Sequence, residues 1–401
     1  MTSGRLLEFR RGWPVVAASA AGAGLGVSGL LTYNSGLFVP ALDADFGLSR
    51  GAFGLIFFAT SVAMALTLPL AGRWIDRRGP VIPALTGAVA LAVGFALLSM
   101  ANSLAAYAAV MLGIGLLAVG SGPISYNRAV STTFSAGRGL ALGLTQTGIG
   151  VSAAVVPPLV TAVMIESGWR QGFLALAFLA LVGVLPALLI RMAPTVPAAA
   201  SDSPDFRAIA SSPLFRRQLI AFVVMAVGFA GLIPHFVPML RDAGISAATA
   251  AAYASIIGMA VIASRIVVGW LADVVEAAWL AAGACVLCAL GCMLLAIGGP
   301  RLAMVGAIAL GCAMGAEADL VGFMTARHFG VALFGRAYAL QYTGFMLAAG
   351  AGPAWVGYLR DVTGSYTSPL VIASATLVVA AVLFSRLPHT KARHPGAPVT
   401  D

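Results

Sequence analysis

The stretch A-A-A-Y-A-S-I-I-G-M-A-V-I-A-S-R-I-V-V-G-W-L-A-D, from Ala250 to Asp273, decides the fold. Wound as a helix it rises about 1.5 Å per residue, enough to cross the roughly 30 Å hydrocarbon core of a bilayer. One residue before its charged end breaks the apolar run, and that residue is Arg265. On the same rise Arg265 sits about 12 Å above Asp273. A guanidinium keeps its proton in a protein, and one near the bilayer centre costs about 2.5 to 3.5 kcal/mol on insertion scales. A cation held there points to an anion, either one fixed in the protein or one that passes through.

The rest of the chain is built the same way. Of 401 residues, 60% are hydrophobic and 9% are charged, against about 25% charged in a soluble domain. Mean hydropathy is +0.98. This composition predicts an all-α polytopic membrane protein. An isoelectric point near 9.9 would suggest nucleic acid in a soluble protein, but here the cationic excess lies in loops on one side of a membrane. Cys285, Cys288, Cys292 and Cys312 lie in apolar runs without His or acidic neighbours, so they read as small helix-packing residues rather than metal ligands. Arg10 and Arg11 precede an apolar run longer than a signal-peptide core, so no cleaved signal is expected.

Spans of about 20 apolar residues fall near 15–39, 51–71, 80–100, 104–126, 139–163, 171–190, 218–240, 247–271, 277–298, 302–325, 336–359 and 368–386. The polar, proline-rich stretch 191–217 divides them six and six. The expected organisation is therefore an N-terminal six-helix bundle (1–190), a cytoplasmic linker (191–217), a C-terminal six-helix bundle (218–390) and a cytoplasmic tail (391–401). With both termini in the cytoplasm, the outer segments hold only Arg50, Arg170, Arg241, Arg301 and Arg360. Arg265 lies within a span, and the other seventeen of the 23 Lys and Arg residues fall on the inner side. That bias sets the orientation. The halves also echo each other. Gly72 to Asp76 matches Gly269 to Asp273, Gly137-Arg138 matches Gly335-Arg336, and Arg128 matches Arg327, at offsets of 197, 198 and 199 residues. Parallel repeats of this kind mark transporters whose site lies near mid-membrane between the halves.

P-L-A-G-R-W-I-D-R-R-G, Pro69 to Gly79, resembles the cytoplasmic loop signature of the major facilitator superfamily, G-x-x-x-D-[RK]-x-G-[RK], with Pro80 in place of the last basic residue. The copy at Gly269 to Glu276 lacks the following basic residues. Several stretches are similar to the bacterial monocarboxylate transporter and oxalate/formate antiporter group: G-W-P-V-V-A-A-S, D-F-G-L-S-R (Asp45 to Arg50), H-F-V-P-M-L-R-D-A-G-I-S (His235 to Ser246), A-E-A-D-L-V-G-F-M-T-A-R-H-F-G and G-Y-L-R-D-V-T-G-S-Y. The resemblance implies twelve transmembrane helices in two pseudo-symmetric six-helix bundles. It implies that Arg265 binds a substrate carboxylate. It implies that Gly72, Asp76, Arg77, Gly79, Arg138, Asp273 and Arg336 latch the halves together on the cytoplasmic side. Arginines belong on that side for topology alone, so the gating role competes with a purely topological one. Oxalate-type members carry a lysine in the eleventh span for a second carboxylate. The matching position here is near Ala349, and the span contains no lysine, which favours a monocarboxylate.

Three firmly ionisable residues fall inside the spans: Arg265, Glu317 and Asp319. Fully ionised, they sum to minus one and would repel an anion. A dry surrounding favours the neutral carboxylic acid, and a proton on Glu317 or Asp319 would release Arg265 for a substrate. Residues two apart on a helix point about 200° apart, so only one of the two can face Arg265, and structural pairing is the competing reading. Tyr33 and Asn34 in the first span, Gln146 in the fifth, and Gln341 and Tyr342 in the eleventh can complete a pocket or simply join helices. His235, near the outer end of the seventh span, is either an interface residue or a proton-entry group.

The expected activity is secondary transport of a monocarboxylate by alternating access with proton symport. The alternatives are organic-anion exchange and drug or metabolite efflux. The chain has no G-x-x-x-x-G-K-[ST], so direct ATP coupling is not expected, and neither is enzymatic activity. The expected partners are a small carboxylate, protons and the lipid bilayer, with no cofactor, metal or nucleic acid. The expected location is the bacterial inner membrane, and a monomer is expected to suffice.

Overall fold

The computed structural model describes residues 3–134, 138–190, 211–272, 275–329 and 334–388. Asp273 and the side chains of Asp76, Arg138, Asp319 and Arg336 lie outside the described residues. Every regular element among the described residues is helical.

Ten stretches are long and apolar enough to cross a membrane. One of them, Ala277–Phe329, holds two helices, and the long helix Phe334–Thr363 adds another, so the described chain forms twelve rods. The first rod is α1 (Ser3–Gly24) and α2 (Val27–Phe46). Then come α3 (Arg50–Arg78) and α4 (Val81–Ser99). The fourth rod is α5 (Leu104–Leu117) and α6 (Pro123–Thr133), joined by a 3-10 turn at Ala118–Ser121. The fifth is α7 (Arg138–Ser167), and the sixth is α8 (Trp169–Val182) with α9 (Val184–Leu189). The seventh is α10 (Pro213–Phe229) with α11 (Leu232–Asp242). The last five are α12 (Ala247–Leu271), α13 (Ala277–Gly298), α14 (Ala303–Phe329), α15 (Phe334–Thr363) and α16 (Thr367–Ser385).

The helix starts follow from capping chemistry. Ser49, Ser103, Ser212 and Ser246 each accept a backbone N–H three residues on, which satisfies a donor that the first turn leaves open. The first rod is longer than its expected span, and the polar pair Tyr33-Asn34 does not interrupt it. Asn34 donates to the Leu30 carbonyl one turn back at 2.9 Å, so its amide N–H is satisfied within its own helix. The rod breaks instead at Leu25–Gly26, where the Val27 N–H donates to Ser121 Oγ at 3.2 Å. One broken helix thus caps another in the bundle interior.

Within the first half of the chain α1 packs on α7, α4 on α8 and α3 on α5. Within the second, α12 packs on α14, α13 on α16 and α10 on both α15 and α16. The halves meet along three seams: α3 with α15, α7 with α12, and α2 with α11. Small residues set these distances. A Cβ at Gly36 would strike the Pro234 carbonyl, and one at Gly54 the Pro353 carbonyl. A Cβ at Gly150 would lie 2.6 Å from Ile262 Cγ1, and one at Gly258 would strike the Ala154 backbone.

Those two contacts fix an antiparallel register for α7 and α12. Followed inward, the register brings Gly143 opposite Gly269, yet a Cβ at either would meet nothing within 4 Å. The two helices have parted there. The molecule is closed on the face that holds the α2–α3 turn and open on the opposite face, where α1 begins and α16 ends.

Candidate functional site

Arg265 sits at the apex of that opening. It is half-buried and lies about one turn inward of Ile262, which α12 sets against Gly150 of α7. Its level on the neighbouring helix is set by small residues. Gly311 packs 2.6 Å from Ala260 Cβ and Gly315 packs 2.8 Å from Ser264 Cβ, counted to an added Cβ. Ser264 Oγ donates to the Cys312 carbonyl at 2.8 Å. The two helices therefore advance in step, and Glu317, 3% exposed, comes level with Arg265.

Two tyrosines complete the group. Tyr33, from the first half, lies within electrostatic reach of Arg265 and Glu317. Tyr342, from the second, lies within reach of Glu317, Arg265, Tyr338 and Tyr33. The Tyr342 ring stacks between Tyr338 and Phe345, with centroids 5.5 and 5.9 Å away, so its position is held by packing. The α7–α12 register also brings half-buried Gln146 within one residue of the Arg265 level. Its Oε1 is buried without a hydrogen bond from the protein. A guanidinium, a carboxyl and two phenols from both halves thus come within electrostatic reach of one another. Such a set can hold a small anion by charge and orient it by hydroxyl donors.

The other sequence-expected residues fall elsewhere. Asn34 is fully buried and donates to its own helix, with Oδ1 buried and without a hydrogen bond. Gln341 donates to the Phe215 carbonyl at 3.1 Å, so it joins α15 to α10 rather than facing the opening. The expectation for the Asp319 side chain lies outside the described residues. Of the expected cytoplasmic latch, Gly72, Arg77 and Gly79 are placed at the inner end of α3, and Gly79 takes φ +77° to end it. Asp273 and the side chains of Asp76, Arg138 and Arg336 lie outside the described residues. Cys285, Cys288 and Cys292 are buried free thiols. Among the described residues, no group of three or more His, Cys, Asp or Glu could hold a metal ion.

Sequence reasoning missed a charged network on the closed face. Arg50, whose side chain is 5% exposed, reaches Asp43 of its own half at 3.0 Å and Asp242 of the other half at 2.6 Å. Asp242 also takes Arg360 at 2.9 Å. The Gly51 N–H donates across the seam to Asp361 Oδ2 at 2.7 Å. Beneath lies His235, 1% exposed, so it is not an interface residue at a helix end. Its Nε2 is 3.0 Å from the Pro353 carbonyl and its Nδ1 3.1 Å from the Tyr366 hydroxyl. A carbonyl only accepts, so Nε2 carries the hydrogen, and Nδ1 accepts from Tyr366. Burial raises the Tyr366 phenol above its ordinary range, which keeps it a donor. The available signal was the outer cations themselves. They are few, and Arg241 and Arg360 are each followed by an aspartate.

Comparison with known proteins places these features. The family model described as Major Facilitator Superfamily matches residues 21–330. Human monocarboxylate transporter 11 is 29% identical over 94% of this chain and 83% of its own length. The oxalate:formate antiporter of Oxalobacter formigenes is 26% identical over 54% of this chain and 53% of its own. Among solved structures, a bacterial homolog of the human lysosomal transporter Spinster, inward-facing and occupied, superposes with a TM-score of 0.70 at 16% identity. It covers 94% of this chain and 96% of that one.

Proposed function

The chain belongs to the major facilitator superfamily, a multi-pass membrane transporter with a small-molecule substrate, and we propose that it moves a monocarboxylate by alternating access with proton symport. The observation that carries this reading is Arg265, half-buried at the apex of the opening with Tyr33, Tyr342 and Glu317 around it. The substrate carboxylate pairs with Arg265, and the phenols of Tyr33 and Tyr342 donate to its oxygens. Glu317, or Asp319 two residues on, takes the proton that lets Arg265 turn from protein to substrate. The name of human monocarboxylate transporter 11 supports the substrate class, as does the absence of a lysine from the span around Ala349. One fixed cation suits one carboxylate.

The two six-helix bundles, 1–190 and 218–390, rock about the site, with 191–217 as linker. Both termini lie in the cytoplasm, and the membrane is the bacterial inner membrane. The open face is then the cytoplasmic one. Closing it would bring Gly143 to Gly269 and the Gly72–Gly79 loop of α3, with Asp76 and Arg77, against the start of α15 at Arg336. Their places in the sequence repeat assign Arg138 and Asp273 to the same cytoplasmic latch. A monomer suffices because one chain supplies both halves.

The test is uptake into proteoliposomes of a panel of radiolabelled mono- and dicarboxylates, with and without an inward proton gradient. Wild type should accumulate a monocarboxylate on the gradient, and Arg265→Ala should not. Normal transport by Arg265→Ala would refute the site. Exchange without gradient-driven accumulation would favour organic-anion exchange, the reading that the oxalate:formate relative supports.

A further inference from the structure

We propose that Arg50 is the outer-gate residue, a latch that joins the halves through Asp242 and rests on Asp43 when they part. This rests on the alternating-access reading. The chain of contacts runs Asp43–Arg50–Asp242–Arg360, at 3.0, 2.6 and 2.9 Å. Its links alternate. Asp43 and Arg50 flank the turn between α2 and α3 in the first half, and Asp242 and Arg360 end α11 and α15 in the second. Only the middle link crosses the seam.

That arrangement matters because Arg50 is buried. Stripping a buried ion of its only partner costs several kcal/mol, far more than the pair itself contributes. Here, opening removes one link and leaves each half with an internal ion pair. Asp242 keeps Arg360, and Arg360 lies 3.7 Å from Asp361 as well. Arg50 keeps Asp43. The gate can therefore open without orphaning a charge, and Asp242 sets how firmly it stays shut. The Gly51 N–H to Asp361 contact reinforces the same closed seam. Gly47, at φ +74°, and the Ser49 cap shape the turn that brings Arg50 to the first position of α3.

The two aspartates should then act with opposite sign. Asp242→Asn weakens the link across the seam and favours the outward-open state. Asp43→Asn removes the resting partner, so opening would strand Arg50, and the closed state gains. Asp45→Asn is the control, since Asp45 pairs with Arg170 at 3.3 Å inside the first half.

The experiment places spin labels at Asn102→Cys and Arg301→Cys, both exposed in outer loops of opposite halves, with Cys312→Ala. Pulsed dipolar spectroscopy in nanodiscs reads the populations of short and long separations, and proteoliposome uptake reads turnover. Asp242→Asn should raise the long-separation population about fivefold, the upper scale for a partly exposed ion pair. Asp43→Asn should lower that population or slow turnover by a similar factor, and Asp45→Asn should match wild type. An unchanged distribution in Asp242→Asn overturns the latch. So does a gain of long separations in Asp43→Asn, or Asp43→Asn behaving as wild type. A wild type that never shows a second separation, with or without substrate and gradient, would sink alternating access itself, and so separates the two failures.

Discussion

Arg50 and Arg265 are both arginines set among apolar helices, and the regions around them are built for different ends. Arg50 is enclosed at the closed face with carboxylates of both halves at 3.0 and 2.6 Å. Arg265 stands half-buried at the apex of the opening, with phenols of both halves and Glu317 within electrostatic reach. The first environment compensates a charge and fixes it between rigid helix ends. The second surrounds a charge with neutral donors and one group that can be neutral or charged. A cation meant to hold a protein together gains from fixed anions. A cation meant to bind a mobile anion gains from a place where the fixed anion can be withdrawn.

The largest expected effect tests that distinction directly. Arg265→Ala should weaken equilibrium binding of the transported carboxylate by about a hundredfold, the scale for removing one partner of a desolvated charge pair. Arg50→Ala should change binding by no more than about fivefold, because it alters only the populations of the two states. Isothermal titration on the purified protein measures both. Equal losses would mean that Arg50 also serves the substrate.

A second expectation concerns the seam rather than the charges. Gly54 lies against the Pro353 carbonyl, which also holds His235. Gly54→Val would wedge α3 from α15 at the closed face while leaving Arg265 untouched. Turnover should fall about tenfold, the cost of overpacking a tight contact by at least 1 kcal/mol. Binding should persist. Steady-state uptake against equilibrium binding distinguishes the two, and a proportional fall in both would place the seam within the binding site.

Glu317→Gln comes third. Uptake by wild type should rise as the pH outside falls from about pH 8 to about pH 6, with the gradient driving accumulation. In Glu317→Gln, exchange should continue while this pH dependence flattens, because the amide mimics a permanently protonated acid. Full retention of pH dependence in this variant and in Asp319→Asn would move proton coupling to another group.

How much of this was legible in the sequence depends on which force wrote each feature. The helices were legible because the bilayer demands long apolar runs, and Arg265 because a charge there is an exception to that demand. The superfamily was legible in Pro69 to Gly79. The break at Gly26 was not, since it depends on Ser121 reaching Val27 from a distant helix. Tyr33 and Asn34 read as an equivalent polar pair. They differ because successive residues point about 100° apart on a helix, so Tyr33 comes within reach of Arg265 while Asn34 turns back to Leu30. Arg50, Asp242 and Asp361 were legible only as outer charges, because which of them pair across the seam is a property of the closed assembly. Gln341 and Gln146 show the same limit. Both are amides in apolar runs, and only packing assigns one to the α10–α15 contact and brings the other level with Arg265.

The smallest expected effect falls on Tyr342, and it is the most discriminating for the mid-membrane region. Its ring is held between Tyr338 and Phe345, so Tyr342→Phe keeps the packing and deletes one hydroxyl. If that hydroxyl donates to the substrate, the loss is one hydrogen bond to a charged acceptor, about 1.5 kcal/mol, or about a tenfold rise in KM at most. Turnover should stay near wild type, because the stacked ring still shapes the cavity. Tyr33→Phe should behave alike, and the double variant should cost close to the sum of the two only if the phenols donate independently. A fall in turnover with unchanged KM would instead assign Tyr342 to movement of α15 against α3, and would shift its role from the anion to the seam.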